Sequence, residues 1–168
     1  MAQENMSIWK IILALKKTER RGWTRHIKAE VESIADHSFS TAVLCYAFAK
    51  EFKANREKAV EMALLHDLAE AITGDITPFD AKSKEKDSLE RKAEKEIEPL
   101  IGKDGVKLMK EYREGKTKLA KFVRDMNLLD MVLQAHEYRV EREFEEYAKK
   151  RMSKKAKALL AEFLGKNK

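Results

Sequence analysis

Four side chains along the sequence have the types and positions expected of ligands to one divalent metal ion. His66 and Asp67 directly follow the apolar run at 62–65, where an imidazole and a carboxylate cost several kcal/mol unless they are paired or bound. His37 lies 29 residues earlier, and Asp125 lies within a later apolar stripe. Together they supply two nitrogens and two oxygens, which leaves positions on a six-coordinate ion for water and a substrate oxygen.

Each of these residues also has a purely structural interpretation. Taken alone, the pair His66 and Asp67 fits a histidine on a helix surface beside a solvated aspartate. Asp125 needs a cationic partner in its apolar surroundings, and that partner is either an arginine or a metal ion. The residue types alone therefore leave the metal site as a hypothesis.

The elements that must position these residues are predicted to be helices, because apolar residues recur at helical spacing and no stretch alternates with a period of two. Ser7 and Asn55 are predicted N-caps, Pro99 is expected to end or kink a helix, and a break is expected near Arg142. Val43, Leu44, Ala47 and Phe48 are predicted to face inward, as are Val60, Ala63, Leu64 and Leu68. The predicted helices span 7–17, 36–52, 55–73, 88–98, 104–114, 117–149 and 153–164. The sequence thus predicts an all-α fold.

Composition limits the class of protein. A chain of 168 residues with 43% apolar residues is long enough for one domain with one core. Six glycines and two prolines are too few for a typical β-sandwich or barrel, and no apolar run reaches the ~20 residues of a bilayer span. No secretory signal is visible, and the single cysteine, Cys45, cannot form an internal disulfide. We therefore expect a soluble protein of the cytoplasm.

The net charge of +6, from 35 Lys and Arg against 29 Asp and Glu, raises the alternative of nucleic-acid binding. Positive and negative side chains are mixed along nearly every segment, and only 149–155 approaches a basic block. A solvated helix face explains that block better than a surface that follows a phosphate backbone. A non-catalytic helical protein that binds nucleic acid remains the alternative from another class.

Three segments together resemble the YfbR-like 5'-deoxynucleotidase subgroup of the HD-domain metal-dependent phosphohydrolase superfamily. They are ESIADHS at 32–38, LLHDLAEAITGDITP at 64–78 and DMNLLDM at 125–131. The likeness covers about residues 8–148 of a single HD domain at 1–168, with 149–168 as a C-terminal helical extension. Asn127 and Leu128 depart from the Asp-Lys that is common at their positions in the subgroup.

The resemblance implies a bundle of about six to seven helices, often dimeric, with one divalent metal ion per subunit. It implies that His37, His66, Asp67 and Asp125 hold the ion, whose identity stays open among Mn, Co, Ni, Zn and Fe. It also implies hydrolysis of deoxyribonucleoside 5'-monophosphates to the nucleoside and phosphate. A nucleoside triphosphate hydrolase or a phosphodiesterase on the same scaffold is the alternative within this class, and a homodimer is expected.

The resemblance further implies which side chains perform the chemistry. Glu70 matches the catalytic glutamate of the subgroup and, four residues after His66, shares its predicted helix face. It would orient or deprotonate the attacking water. Asp75 would return a proton to the leaving 5'-oxygen or bind the sugar, and a turn-forming aspartate is the alternative.

A basic loop near the N-terminus is expected to bind the phosphate dianion, because arginine can bind it through two hydrogen bonds. Arg20, Arg21 and Trp23 match the subgroup's phosphate-binding region, and spacing does not decide between the two arginines. Trp23 would stack on the base or wall the pocket, or it would anchor the core. Arg25 is a further candidate, and Glu32 is expected to hold one of the arginines.

Overall fold

The structure is a computed structural model that describes residues 7–77 and 85–165. Within these two ranges the secondary structure is helical apart from one isolated bridge between Glu19 and Ser33. The helices are α1 Ile8–Lys17, α2 Arg21–Thr24, α3 Ile34–Phe48, α4 Arg56–Leu65, α5 Glu70–Thr73, α6 Lys86–Glu114, α7 Lys118–Glu137, α8 Glu141–Lys149 and α9 Lys154–Phe163. Since α2 and α5 are four-residue turns, seven longer helices remain in the described ranges, which confirms the predicted all-α bundle. Across 7–77 and 85–165, we find no helix with the length and apolar content that a bilayer span requires.

Side-chain caps set where most of these helices begin. The side chains of Ser7, Asn55, Thr117 and Ser153 each accept a backbone N–H three residues further on. This is the N-cap interaction, which satisfies a donor that the first helical turn leaves free. The predicted starts of α1, α4, α7 and α9 are thereby confirmed.

Other helix boundaries differ from the prediction. In α6 the backbone leaves helical geometry at Gly102 (φ 73°), while Pro99 stays inside the helix. The break between α7 and α8 centres on Arg139 (φ 59°) instead of Arg142. A positive φ is easily adopted by glycine and rarely by other residues, so neither break follows from apolar spacing. The predicted polar connection after residue 78 lies partly outside the described residues.

The core is built around α7, which packs against α3, α4, α6, α8 and α9. Val123, Met126, Leu129 and Val132 of α7 are fully buried in the largest apolar cluster. Because α3 lies directly against α7, side chains on the facing sides of these two helices meet inside the molecule. This contact positions the candidate site.

The prediction of which residues of α3 face inward is only partly confirmed. Leu44 and Phe48 pack against the core as predicted, but Val43 and Ala47 are exposed, and so is Leu64 on α4. The helix is apolar on nearly every side, so its periodicity does not indicate which side is buried.

Candidate metal centre

Three of the four predicted ligands converge between α3 and the end of α4. The Oδ2 atom of Asp67 lies 3.1 Å from Nε2 of His66 and 3.9 Å from Nε2 of His37. Ligand atoms around one ion at bond lengths of about 2.1 Å are separated by roughly 3–4 Å. The three side chains are therefore spaced as ligands to a single ion.

His37 is held so that its second ring nitrogen faces Asp67. Its Nδ1 lies 2.6 Å from Oδ2 of Asp130, a residue of α7, and the carboxylate accepts the Nδ1–H. Nε2 is buried and has no hydrogen-bond partner, which is costly for a polar atom unless a ligand satisfies it. Burial and the nearby Arg20 cation lower the pKa of His37 well below its ordinary value, so the ring is neutral, as a metal ligand must be. These residues fit a divalent metal ion.

His66 is oriented in the same way by the backbone. Its Nδ1 lies 2.7 Å from the carbonyl oxygen of Ala63, which fixes the proton on Nδ1 and directs the Nε2 lone pair into the site. The side-chain Nδ2 of Asn127 donates to that Nε2 at 3.0 Å and to the hydroxyl of Tyr112 at 2.7 Å. Besides Asp130, α7 thus brings Asn127 to the cluster, a residue that the sequence indicates only as a departure from the subgroup.

Asp125, the fourth predicted ligand, is not brought to this cluster. Its Oδ1 accepts the backbone N–H of Ser153 at 2.9 Å, which links α7 to the start of α9. Asp125 and Asn127 are about 200° apart around the helix axis, so they point to opposite sides of α7. The sequence predicts an arginine or a metal ion beside the buried Asp125 carboxylate. The partner in the structure is the backbone N–H of Ser153.

The backbone forms tighter turns at His66 and Asp67 than an α-helix does. The sequence predicts one continuous helix to residue 73 instead. After α4, the backbone N–H of Leu68 donates to Leu65 and that of Glu70 donates to Asp67, at 3.1 and 2.9 Å. Such bonds between residues three apart give about three residues per turn. Because about three residues complete a turn here, Glu70 lies on the same side of the chain as Asp67. The sequence predicts instead that Glu70 shares a helix face with His66.

Glu70 is a buried carboxyl group beside the metal cluster, with 3% of its surface exposed. Lys86, at the start of α6, donates to its Oε1 at 3.2 Å, while its buried Oε2 has no hydrogen-bond partner. Burial and the Asp67 carboxylate raise the pKa of Glu70 well above its ordinary value, against the opposing effect of Lys86. Such a group can exchange a proton nearer neutral pH. Sequence reasoning missed Lys86 because the surrounding charged segment does not distinguish it.

The structure distinguishes between the two loop arginines. Arg20 places Nη1 3.3 Å from Oδ2 of Asp67 and Nε 3.9 Å from Oε1 of Glu32, so Glu32 holds an arginine as expected. Although burial disfavours the Arg20 cation, Asp67 and Asp75 raise its pKa. Trp23 is almost fully buried and donates its Nε1–H to Glu32 at 2.7 Å, so it anchors this loop.

A cleft of about 1000 Å³ extends from the metal cluster towards α8, and Arg20, Trp23, Arg25 and Asp75 all line it. Arg21 contributes through its backbone, because its N–H donates to Oδ2 of Asp75 at 2.7 Å. Asp75 follows Gly74, which has a φ of 71°. The turn and this hydrogen bond together fix the Asp75 carboxyl group at the cleft.

The arrangement corresponds to a known class of protein. The family model for the HD domain matches residues 12–166, so the chain belongs to the HD-domain family, as predicted. The match includes most of residues 149–168, which the sequence predicts to be a C-terminal extension. HD-domain membership is consistent with the His and Asp cluster described above.

Particular relatives sharpen this assignment. Human 5'-deoxynucleotidase HDDC2 is 35% identical over 142 residues, which cover 82% of this chain and 69% of the relative. The 5'-deoxynucleotidase hdd1 of Schizosaccharomyces pombe is 37% identical over 139 residues, covering 77% and 69%. The crystal structure of the PH0347 protein from Pyrococcus horikoshii has a TM-score of 0.72 at 34% identity, covering 95% of this chain and 94% of that one. A conserved hypothetical protein from Pyrococcus furiosus has a TM-score of 0.76 at 30% identity, covering 95% and 99%.

Proposed function

We propose that this chain is a metal-dependent 5'-nucleotidase that hydrolyses deoxyribonucleoside 5'-monophosphates to the deoxynucleoside and phosphate. The observation that carries the proposal is the convergence of two imidazole nitrogens and Asp67 beside a buried carboxyl oxygen of Glu70 that has no hydrogen-bond partner. Relatives from human and fission yeast that are named 5'-deoxynucleotidase support the substrate class.

The proposed ligands to one divalent ion per subunit are His37, His66 and Asp67, with Asn127 in the position that the sequence had given to Asp125. A half-turn of the Asn127 amide exchanges Nδ2 for Oδ1, and an amide oxygen is a suitable ligand for a divalent cation. Mn, Co, Ni, Zn and Fe all suit such a mixed set of nitrogen and oxygen ligands. When bound, the ion supplies Lewis acidity that polarises the phosphoryl oxygen and lowers the pKa of water.

Glu70 is proposed to orient the attacking water and to accept its proton. Lys86 holds Oε1 at 3.2 Å, which leaves Oε2 as the oxygen that can accept a hydrogen bond from water. The raised pKa of Glu70 brings its protonation closer to neutral pH, where a general base is most effective. As Glu70 takes a proton from the attacking water, the water oxygen forms a bond to phosphorus and the phosphorus–oxygen bond to the 5'-oxygen breaks. The leaving 5'-oxygen takes up a proton from Asp75 or from solvent.

Arg20 is proposed to bind the phosphate dianion at the cleft. It is the loop arginine whose side chain reaches the metal cluster, and its planar group can donate two hydrogen bonds to phosphate. Asp75 is proposed to receive the sugar or to protonate the leaving 5'-oxygen, with Arg21 positioning it through the backbone. Trp23 and Arg25 contribute to the cleft wall.

The test is a phosphate-release assay with dAMP and dTMP in the presence of Mn²⁺ or Co²⁺. His66→Ala and Asp67→Ala should abolish release. His136→Ala is a matched control, because His136 lies outside the cleft and contacts Glu145. Retained activity in the His66 or Asp67 variants would refute the proposal.

The second candidate is a nucleoside triphosphate hydrolase or phosphodiesterase, and the size of the cleft favours keeping it in the test. A volume of about 1000 Å³ is at the upper limit of common ligand sites, and a nucleoside monophosphate does not require it. Assays with dATP and cyclic dinucleotides distinguish these reactions by their products.

We also propose that the protein is cytoplasmic and forms a homodimer.

A further inference from the structure

The outer side of α3 is an apolar surface that the rest of the described chain leaves uncovered. Phe39 is 67% exposed, Val43 50% and Tyr46 59%. The guanidinium of Arg56 covers one face of the Tyr46 ring, 4.7 Å from its centre. Side chains of this size are usually buried in a folded protein.

The exposed positions of α3 have the spacing of a helix that pairs with another helix. They include 36, 39, 43 and 46, and the next exposed position on this line, Lys50, lies just past the end of α3. These positions alternate steps of three and four residues, which is the spacing of the contact line in paired helices. Ala47 is exposed beside this line. The apolar residues occupy the middle of this line, and the two charged residues, Asp36 and Lys50, occupy its ends. Such a line predicts a helical partner.

We propose that α3 pairs antiparallel with α3 of a second copy of this chain, about a two-fold axis that passes beside Val43. The family resemblance led us to expect a homodimer but did not indicate which surface forms it. The α3 face is a separate surface from the cleft, since His37 projects from the opposite, buried side of the same helix. The proposal therefore does not depend on the nucleotidase activity.

Self-complementarity argues for a second copy as the occupant. With the two-fold axis beside residue 43, each residue of one copy lies opposite a residue of the other copy. The numbers of the two facing residues add up to 86. Phe39 then meets the small Ala47 of the other copy, and Asp36 meets Lys50. A symmetric interface must match itself in this way, large against small and acid against base.

The exposed area is close to what a stable dimer buries. Two of the helices packed against α3 also carry exposed apolar side chains, Trp9 and Ile12 on α1 and Leu64 on α4. With aromatic side chains of about 150–250 Å² each, the exposed parts on the three helices amount to roughly 650 Å² per chain. Each partner in a standard interface buries about 800 Å², so these side chains together would supply most of the area of such an interface.

The first test is the mass of the full chain in solution, measured by light scattering after size-exclusion chromatography at about 50 µM. The wild type should have twice the chain mass of 19.5 kDa, and Val43→Glu should have the monomer mass with an unchanged circular dichroism spectrum. Phe163→Glu, an exposed apolar position on α9, is the control and should remain dimeric. A monomeric wild type, or a Val43→Glu variant that stays dimeric, overturns the proposal.

The second test measures the register and does not depend on loss of folding. Val43→Cys should form a disulfide-linked dimer under mild oxidation, because the two copies of a residue beside the axis come within disulfide distance. Ala47→Cys should not link to itself, since its copies lie about 12 Å apart along the helices. The native Cys45 gives little background, because it is buried and burial raises the pKa of its thiol to about 12. Failure of Val43→Cys to cross-link would refute the pairing.

Discussion

Replacing Asn127 with leucine should weaken metal binding, whereas replacing Asp125 with alanine should leave metal binding intact and reduce folding stability. Asn127 places its amide 3.0 Å from Nε2 of His66, and leucine has a similar volume but no polar atom to offer there. Asp125 accepts the backbone N–H of Ser153 on the opposite side of α7. The two substitutions therefore test where the fourth side chain of the site lies.

The first substitution is expected to change metal affinity, and the second is expected to change folding stability. Loss of a side chain that completes or supports a metal site typically costs 10–100-fold in affinity, which is about 1.4–2.7 kcal/mol. In Asp125→Ala, the partly buried N–H of Ser153 loses its partner, which costs about 1–3 kcal/mol of stability. Asn127→Asp adds a negative charge beside the cation and should tighten binding at least tenfold, since two charges 4 Å apart interact by about 4 kcal/mol at an effective dielectric constant of 20.

The assay is calorimetric titration of metal-stripped protein with Mn²⁺, with urea unfolding of each variant measured in parallel. We expect weaker binding in Asn127→Leu, tighter binding in Asn127→Asp and wild-type binding in Asp125→Ala. If Asp125→Ala abolished binding and Asn127→Leu retained it, the orientation of α7 described above would be wrong.

Three further predictions follow from the buried charges. Glu70→Gln should lower the rate of phosphate release by about 10²–10⁴-fold with little change in Mn²⁺ affinity; a fall of less than tenfold would exclude Glu70 as the base. Lys86→Met removes a cation that lowers the pKa of Glu70, so the acidic limb of the kcat/KM profile should move to higher pH, and Lys86→Arg should restore it; an unmoved limb in Lys86→Met would contradict this role. Burial raises the pKa of Glu32 from 4.5 to about 7, so the folded state binds this proton more tightly than the unfolded state, and stability falls as pH rises from about 4.5 to 7. Urea unfolding at pH 5 and pH 8 should show that Glu32→Gln removes up to about 3 kcal/mol of this fall, and an equal fall in both proteins would show that other groups cause it.

The chemistry of the site could be predicted from sequence where the evidence is local. His66 and Asp67 are adjacent and follow an apolar run, which indicates two polar groups near a core that need a partner or a ligand. The caps at Ser7 and Asn55 are equally local, because each depends on one side chain and the next three residues. These predictions required no knowledge of how the helices pack.

The errors concern direction around a helix. Asp125 and Asn127 are two residues apart on α7. The apolar spacing predicts that Asp125 is buried, but it does not indicate which neighbouring helix Asp125 faces. Val43 and Ala47 were predicted inward because α3 has apolar residues on almost every side, so no face stands out. In both cases the missing information is the arrangement of the neighbouring helices.

The contact between Asp125 and Ser153 has a consequence for shortened forms of the protein. It attaches the last helix to α7, and Ala156, Leu159 and Leu160 of that helix are buried in the main cluster. Fully burying a leucine stabilises a fold by about 1.5–3 kcal/mol, so losing two leucines approaches the ~5–15 kcal/mol that holds a domain together. A chain truncated at residue 150 should therefore be prone to aggregation and rapid proteolysis, since the final segment supports the helix that delivers Asn127 and Asp130.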